Sequence, residues 1–580
     1  MIGLNKIGLN QVQLNRLRLN APFPTCRKMA GGGGSSDGFP QLPGDVTRWH
    51  FGGLTNEMMA AMDDPRIEDA DHKGRFLSFK NFAWKGMSGV GGYVQDFNDF
   101  RNNATVDKIR IDEQGSNSIK VTILTTGIGN AIYIPKNIYQ FNKSYFIKIS
   151  SEGYDEGDLF LSFYAPSTST ATTVKVPLNP NGITEIPAIK EDDFLAVYLS
   201  NAAGKVGSIT IEQLPLYPGF ILGDGVDDFA VTEKELNFED TYTVYTAFIP
   251  FQNNPARNMI LCGADSKKTF SMQYSSLVYV SFIAGNNYYI NADFVNGLNL
   301  FACKRNGNNI CIKNLLTNKV VTGTCGDWVE NAGLYYLWKN ATYASFAKAA
   351  IAGQTICNGY FSTDEDDEKV LDWYKKQYPW LFPDQAWTTV GKTNEDEDRA
   401  TIANITGNRN DLVLSNFGFA EGSGYNEEGE YAGYLVTDGV DDQMNSSNFD
   451  LGKDFTIIGE WKFMNNIIAN AGISKALSLF VYNTDNGLRV FINNTTKGPV
   501  LNTKTLKAIC SDGRVYSDDW SEMIINEEQP ITSSKSSLLI GINGNNFAKI
   551  ALKNLAIYNQ ILSKDDCIKA YSYLQTLKAK

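Results

Sequence analysis

Apolar and polar residues alternate with a period of two along several stretches, the pattern of strands with one buried face. Ile119-Lys-Val121-Thr-Ile123, Tyr145-Phe-Ile147-Lys-Ile149, Leu159-Phe-Leu161-Ser-Phe163 and Ile209-Thr-Ile211-Glu212 read this way. So do Tyr242-Thr-Val-Tyr-Thr-Ala-Phe248 and Phe455-Thr-Ile-Ile-Gly-Glu-Trp461. Turn residues such as Asn179-Pro180-Asn181-Gly182 separate them. Helical signals are few. Thr55–Met62 predicts a short helix, and two more are expected to start near Ser362 and Ser563. Ser362 with Glu365 makes a capping box, and Ser563 with Asp566 a weaker one. Cys567, Tyr571 and Leu574 supply an apolar stripe at i, i+4, i+7. The expected class is mainly β.

Three internal repeats organise these strands. The first is a pentad at the N-terminus, Ile2-Gly-Leu4-Asn5 through Leu17-Arg-Leu19-Asn20, with Leu4, Leu9, Leu14 and Leu19 in phase. Each pentad pairs two apolar residues at i and i+2 with an Asn suited to a turn. Four pentads make about one coil, which cannot bury its own face. The segment is therefore an anchor that docks on a partner or on copies of itself, or else a frayed tail. The Gly/Pro-rich stretch that follows is a flexible linker. The second repeat aligns Asn81-Phe-Ala-Trp84 and Ser88-Gly89 with Asn416-Phe-Gly-Phe419 and Ser423-Gly424. At the same offset Ile67, Leu77 and Phe79 fall on Ile402, Leu412 and Leu414, and each copy reads as a compact connector. In the third, Asp224-Gly-Val-Asp-Asp228 recurs as Asp438-Gly-Val-Asp-Asp442, followed in each case by alternating strands and a terminal helix. This is a duplication.

The DGVDD opening and the closing Ile557-Tyr-Asn559-Gln-Ile-Leu562-Ser563-Lys-Asp-Asp566 resemble laminin-G/concanavalin-A-like jelly-roll domains. The resemblance covers 217–383 and 432–580. In the first copy Asn358-Gly-Tyr-Phe361-Ser362 replaces the closing motif. The implied fold is a tandem of concanavalin-A/laminin-G-like jelly-roll sandwiches plus one additional β-sandwich, with an extended N-terminal anchor. The units are an anchor at 1–29, a linker at 30–47, a first connector at 48–96 and an inserted sandwich similar to carbohydrate-binding modules at 97–216. The first jelly roll (217–383), a second connector (384–431) and the second jelly roll (432–580) complete the chain. The whole arrangement resembles virion fibre or tail-associated proteins of crAss-like Bacteroides phages. That resemblance implies a non-enzymatic virion component, head or tail, assembled in the host cytoplasm. Its N-terminus would bind other virion proteins and its β-domains host-surface glycans. The unmet apolar faces of the pentads add the expectation of a homo-oligomer, a trimer among the options.

Composition narrows the alternatives. With 580 residues the chain calls for several domains, and a net charge of −12 without a long basic run disfavours nucleic acid. No apolar stretch is long enough for a helical membrane span. A signal peptide is not expected, because Asn interrupts the N-terminal apolar residues, which argues against a bacterial surface glycan-binding protein. The eight Cys show no CxxC and fit reduced thiols. A three-residue hairpin loop around Asn306-Gly307 would set Cys303 opposite Cys311, within reach of a disulfide.

Candidate chemistry is sparse. Asp224, Asp227, Asp228 and their counterparts Asp438, Asp441, Asp442 offer oxygen ligands to calcium, while the same residues suit a tight turn, the favoured reading. No other cofactor is implied. A fibre-borne polysaccharide depolymerase would need paired carboxylates with apolar spacers on a strand. Asp364–Glu368 and Asn394–Asp398 lack such spacers, and Glu460 stands alone beside Trp461. His50 and His72, the two histidines, fall in the first connector. No catalytic residue is assigned. For glycans, the aromatic platforms singled out are Tyr288, Tyr289, Trp328 and Trp338 in the first jelly roll and Trp520 in the second, each with core packing as its competing role.

Overall fold

The computed structural model describes residues 38–580 apart from short internal stretches, the longest being 263–269, 465–471, 493–499 and 526–534, and two positions at the C-terminus. The pentad anchor, with Leu4, Leu9, Leu14 and Leu19, lies outside the described residues.

The first large sandwich is built from two eight-stranded antiparallel sheets. One centres on Thr241–Pro250, which pairs on one side with Lys348–Asn358 and on the other with Asn299–Asn306. The facing sheet runs from Arg66–Glu68 and Phe76–Lys80 through Phe229–Thr232 to Asn286–Ala292. Between them lie Val244, Phe248, Phe301, Ile351, Trp49 and Trp338, none of which is exposed. The second sandwich repeats the plan, with Thr456–Phe463 between Ile550–Tyr558 and Thr505–Cys510. Its core holds Trp387, Ile457, Trp461 and Leu555.

The two segments expected as connectors are parts of these sandwiches. Asp45–His50 pairs with Lys348–Asn358, and Gln385–Thr388 pairs with Ile550–Tyr558 in the corresponding place. Phe76–Lys80 pairs with Phe229–Thr232, and Leu412–Ser415 with Gln443–Ser446. The apolar triplets Ile67/Leu77/Phe79 and Ile402/Leu412/Leu414 enter the two cores. A free connector could not have kept such residues out of water at no cost.

Gly89–Val90 pairs directly with Ile221–Asp224, so the chain leaves the first sandwich and returns to it on neighbouring strands. In the second copy the equivalent Gly424–Tyr425 and Leu435–Val436 are joined by a short loop. The excursion between Val90 and Ile221 contains a smaller sandwich of two five-stranded sheets. One sheet runs Val174–Pro177, Leu159–Tyr164, Ala196–Asn201, Asn130–Pro135, Arg101–Asn102. The other runs Ile183–Ile186, Tyr145–Glu152, Gly207–Gln213, Ser118–Ile123, Ile109–Gln114. The alternation read from the sequence delivers Leu161, Phe163, Val121, Ile123 and Ile211 to its core.

The three sandwiches meet at one apolar junction around the helices Asp364–Gln377 and Lys564–Leu574. Phe146 of the inserted sandwich meets Tyr571 with ring centroids 5.3 Å apart, and Tyr573 OH accepts from Leu298 N at 2.9 Å. Lys507 Nζ of the second sandwich lies 3.2 Å from Glu185 Oε2 of the inserted one and also contacts Tyr571 OH.

Local details correct three expectations. The capping box of Asp364–Gln377 uses Thr363 and Asp366, one residue later than expected, because Ser362 donates its hydroxyl to buried Asp367 instead. Cys303 and Cys311 carry free thiols. The hairpin loop holds two residues, so Asn306 pairs with Asn309 and Cys303 with Ile312. A register one residue away from the disulfide arrangement puts the two sulfurs on opposite faces.

Candidate functional site

The two DGVDD motifs fold into matching turns. In the first, Asp224 Oδ1 accepts from Val226 N at 2.7 Å, and Asp228 Oδ2 accepts from Asp224 N at 3.0 Å. In the second the same bonds are 2.7 Å each. Asn81 and Asn416 then donate to the carbonyls of Asp227 and Asp441, both at 3.0 Å. The second and third sequence repeats are therefore two halves of one clasp, present twice. Gly89 and Gly424 close it at φ 138 and 154, where a Cβ would lie 2.5 Å from Asn56 Oδ1 or Asn394 Oδ1. Burial pushes the Asp228 carboxyl up to about 7, with the neighbouring Asp224 and Asp227 charges adding to it, and Asp442 is raised for the same reasons. In each cluster one oxygen from every Asp falls within 4.8 Å of the others. In each turn one oxygen of the first Asp and one of the last already serve backbone N–H groups.

The other carboxylates singled out by sequence are held by structural partners. Asp366 caps its own helix. Asp367 is clamped by Lys304 at 2.7 Å and Lys313 at 3.2 Å. Asp396 accepts from Thr393 N at 2.9 Å. Burial pushes Glu460 up, and Lys553, Lys507 and the hydroxyl of Tyr434 outweigh it, so the carboxylate sits below its usual range. His50 packs edge-on against Trp373 at 4.3 Å, and His72 Nδ1 is 3.2 Å from Glu68 Oε2.

The aromatic platforms expected in the jelly rolls are corrected by burial. Trp338 is fully buried and its Nε1 donates to Ala349 O at 2.9 Å. Trp520 is 2% exposed and packs on Tyr516 and Tyr571 at the junction of the sandwiches. Trp328 is half-buried beneath Arg305, whose guanidinium lies 4.9 Å from its ring. Trp338 and Trp520 therefore offer no free face, and Arg305 covers one side of Trp328. Tyr288 and Tyr289 lie in strand Asn286–Ala292, with side chains outside the described residues.

An open aromatic face lies instead on the inserted sandwich. In the sheet Val174–Pro177 to Arg101–Asn102, the inward phase carries Leu161, Val197, Leu199, Ile132 and Ile134. The outward phase carries Tyr164, 42% exposed, and half-buried Tyr198 and Tyr133. Tyr198 is the hub, with centroids 5.8 Å from Tyr133 and 5.9 Å from Tyr164. Burial and the neighbouring phenols Tyr133 and Tyr164 raise its pKa, keeping the Tyr198 hydroxyl a neutral donor and acceptor. Beside the rings, Ser200 Oγ lies 2.7 Å from Asn130 Oδ1 and 2.9 Å from Ser162 Oγ. Ring faces next to a fixed hydroxyl–amide chain suit a ligand with both C–H surfaces and hydroxyls. None of the candidate residues picked out by sequence pattern lies on this face. The signal was there: in Ala131-Ile-Tyr133-Ile134 and Val197-Tyr198-Leu199, tyrosine occupies the phase where a solvent-facing strand ordinarily carries polar residues.

No protein-family model matches the chain, and no curated protein matches it. Among solved structures, the botulinum neurotoxin serotype D binding domain is similar at 10% identity, covering 56% of this chain and 84% of that one, with a TM-score of 0.26. A serotype D ligand binding domain in complex with N-acetylneuraminic acid is similar at 9% identity, covering 60% and 88%, with a TM-score of 0.27. A botulinum neurotoxin type C structure, its cell entry described as dependent upon interaction with two ganglioside molecules, aligns at 10% identity over 60% and 85%, with a TM-score of 0.26. These likenesses are too loose to carry a function across.

Proposed function

We propose that this protein is a non-enzymatic glycan-binding protein whose working surface is the tyrosine face of the inserted sandwich. The observation that carries the reading is the cluster of Tyr133, Tyr198 and Tyr164 on solvent beside the Ser162–Ser200–Asn130 chain. Nothing in the core of the sandwich requires aromatics on that side. Sugars present C–H faces that stack on rings and hydroxyls that meet short polar side chains. The face is preformed by strand pairing, so little ordering cost falls on binding. Binding is proposed to need no cofactor.

Tyr198→Ala is expected to reduce glycan affinity about tenfold or more, because the hub ring supports both neighbours. Its thermal unfolding should stay near that of the native chain, since the ring is half-exposed. Binding of the whole chain to a glycan array, repeated with Tyr198→Ala, checks this. Array signals that survive the substitution would remove the tyrosine face as the site.

The proposal extends to where the protein works: a virion fibre, head or tail, with the N-terminal pentads docking on other virion proteins and assembling copies of the chain. Its support is the pentad repeat and its unmet apolar side chains. Phe39 packs on Trp373 at 5.1 Å and beneath Arg48, so a fair truncation begins at Gly38. That shortened chain is expected to fold and to stay off particles. Normal incorporation into particles would refute the anchor.

A further inference from the structure

We infer that the ligand of the tyrosine face is an acidic glycan chain lying across the strands, an inference that rests on the glycan-binding reading above. The strand registers place five outward residues in one transverse row. Lys175 stands opposite Ser162, Ser162 opposite Tyr198, Tyr198 opposite Tyr133, and Tyr133 opposite Arg101. At the usual strand spacing the row is roughly 19 Å long, the reach of a short oligosaccharide rather than one sugar. Its middle is aromatic, set beside the buried hydroxyl of Ser162. Both ends are cationic, and Lys175 and Arg101 are exposed, with no carboxylate within salt-bridge reach among the described residues.

The charge pattern of the two sheets in this sandwich separates the face from ordinary surface. None of the five strands under the tyrosine row contains an Asp or Glu. The strands of the opposite sheet carry Asp112, Glu113, Glu152, Glu185 and Glu212 along with Arg110, Lys120 and Lys148. In a chain of net charge −12, a whole sheet without carboxylates makes a locally positive strip. Such a strip favours a polyanion. Arg101 takes a carboxylate as a two-pronged donor, and Lys175 takes it as a point charge. Two cations spaced a row apart fit a chain that offers carboxylates at both ends of a short run of sugars. A nucleic acid would call for a denser array.

The test uses the full chain and two probes of the same sugar backbone, polygalacturonate and its uncharged, fully methyl-esterified form, in affinity electrophoresis. The native protein is expected to bind the acid form about tenfold more tightly, with the advantage lost in molar salt. The double variant Arg101→Gln/Lys175→Gln should bind both forms alike, while Tyr198→Ala should bind neither. Equal native affinity for the two forms, lost in Tyr198→Ala, would overturn the acidic ligand and leave the glycan-binding reading standing. The same follows if neither probe binds while glycan-array signals still depend on Tyr198. Array signals indifferent to Tyr198→Ala would remove the underlying reading and the inference with it.

Discussion

Asp367→Ala is expected to cost the first large sandwich about 3–5 kcal/mol, among the largest losses any single substitution here should produce. Asp367 is 1% exposed and carries four partners. Oδ2 takes Lys304 Nζ at 2.7 Å and Lys313 Nζ at 3.2 Å, while Oδ1 accepts from Tyr245 OH at 3.0 Å and Ser362 Oγ at 3.1 Å. Three of these partners, Tyr245, Lys304 and Lys313, sit on adjacent strands of the sheet centred on Thr241–Pro250, so one carboxylate ties the helix Asp364–Gln377 to the sheet it covers. Removing it strands the Lys304 ammonium, itself 3% exposed, with Ser362 O at 3.0 Å as its remaining acceptor. An uncompensated buried charge is what makes such losses large. Asp367→Asn should be milder, since an amide still accepts from Tyr245, yet it leaves Lys304 without a counter-charge. Urea unfolding followed by tryptophan fluorescence checks the order native, Asn, Ala, with Trp373 on the same helix as one of the reporters. An alanine variant within about 1 kcal/mol of native would show that this network is not what holds the helix down.

The sequence exposed the fold at the level where period and repetition act. Alternation at 119–123, 145–149, 159–163 and 209–212 placed strands that are present, and the paired DGVDD motifs marked equivalent turns in two sandwiches. What stayed hidden depended on long-range pairing. The segments around Leu77 and Leu412 look like connectors because their strands are five and four residues long. Each pairs nearby with Arg66–Glu68 or Thr401–Ile402, but the pairing that joins it to its sandwich is to Phe229–Thr232 or Gln443–Ser446, further along the chain. The Cys303/Cys311 expectation failed on one residue of loop length, since register decides which face a side chain takes. Trp338 and Trp520 took their competing role for a different reason: large rings go first to the core. The open rings are tyrosines on the outward phase of edge-to-centre strands, visible only when the phase of each aromatic is compared with that of its apolar neighbours.

Trp338→Ala separates those two roles by stability. Trp338 is fully enclosed, stacked on Phe51 at 6.1 Å and edge-on to Phe82 at 5.5 Å, with its indole N–H on Ala349 O. Truncating such a side chain typically costs about 3–5 kcal/mol, because the cavity closes only in part. Its left-handed backbone, φ 61, offers little room for that closure, with its carbonyl held by Ala347 N at 2.8 Å. Gly223 lies against the same ring: a Cβ there would come within 2.5 Å of Trp338 Cδ1. Gly223→Ala alone should therefore destabilise by about 1–3 kcal/mol through overpacking. In the Trp338→Ala background the same methyl enters vacated space, so the pair should cost less than the two single losses together, a coupling of opposite sign to their separate effects. Glycan binding should be unchanged in every variant that still folds, because the tyrosine face belongs to another sandwich. A Trp338→Ala chain that unfolds like the native protein but loses its glycans would return the binding site to the first large sandwich.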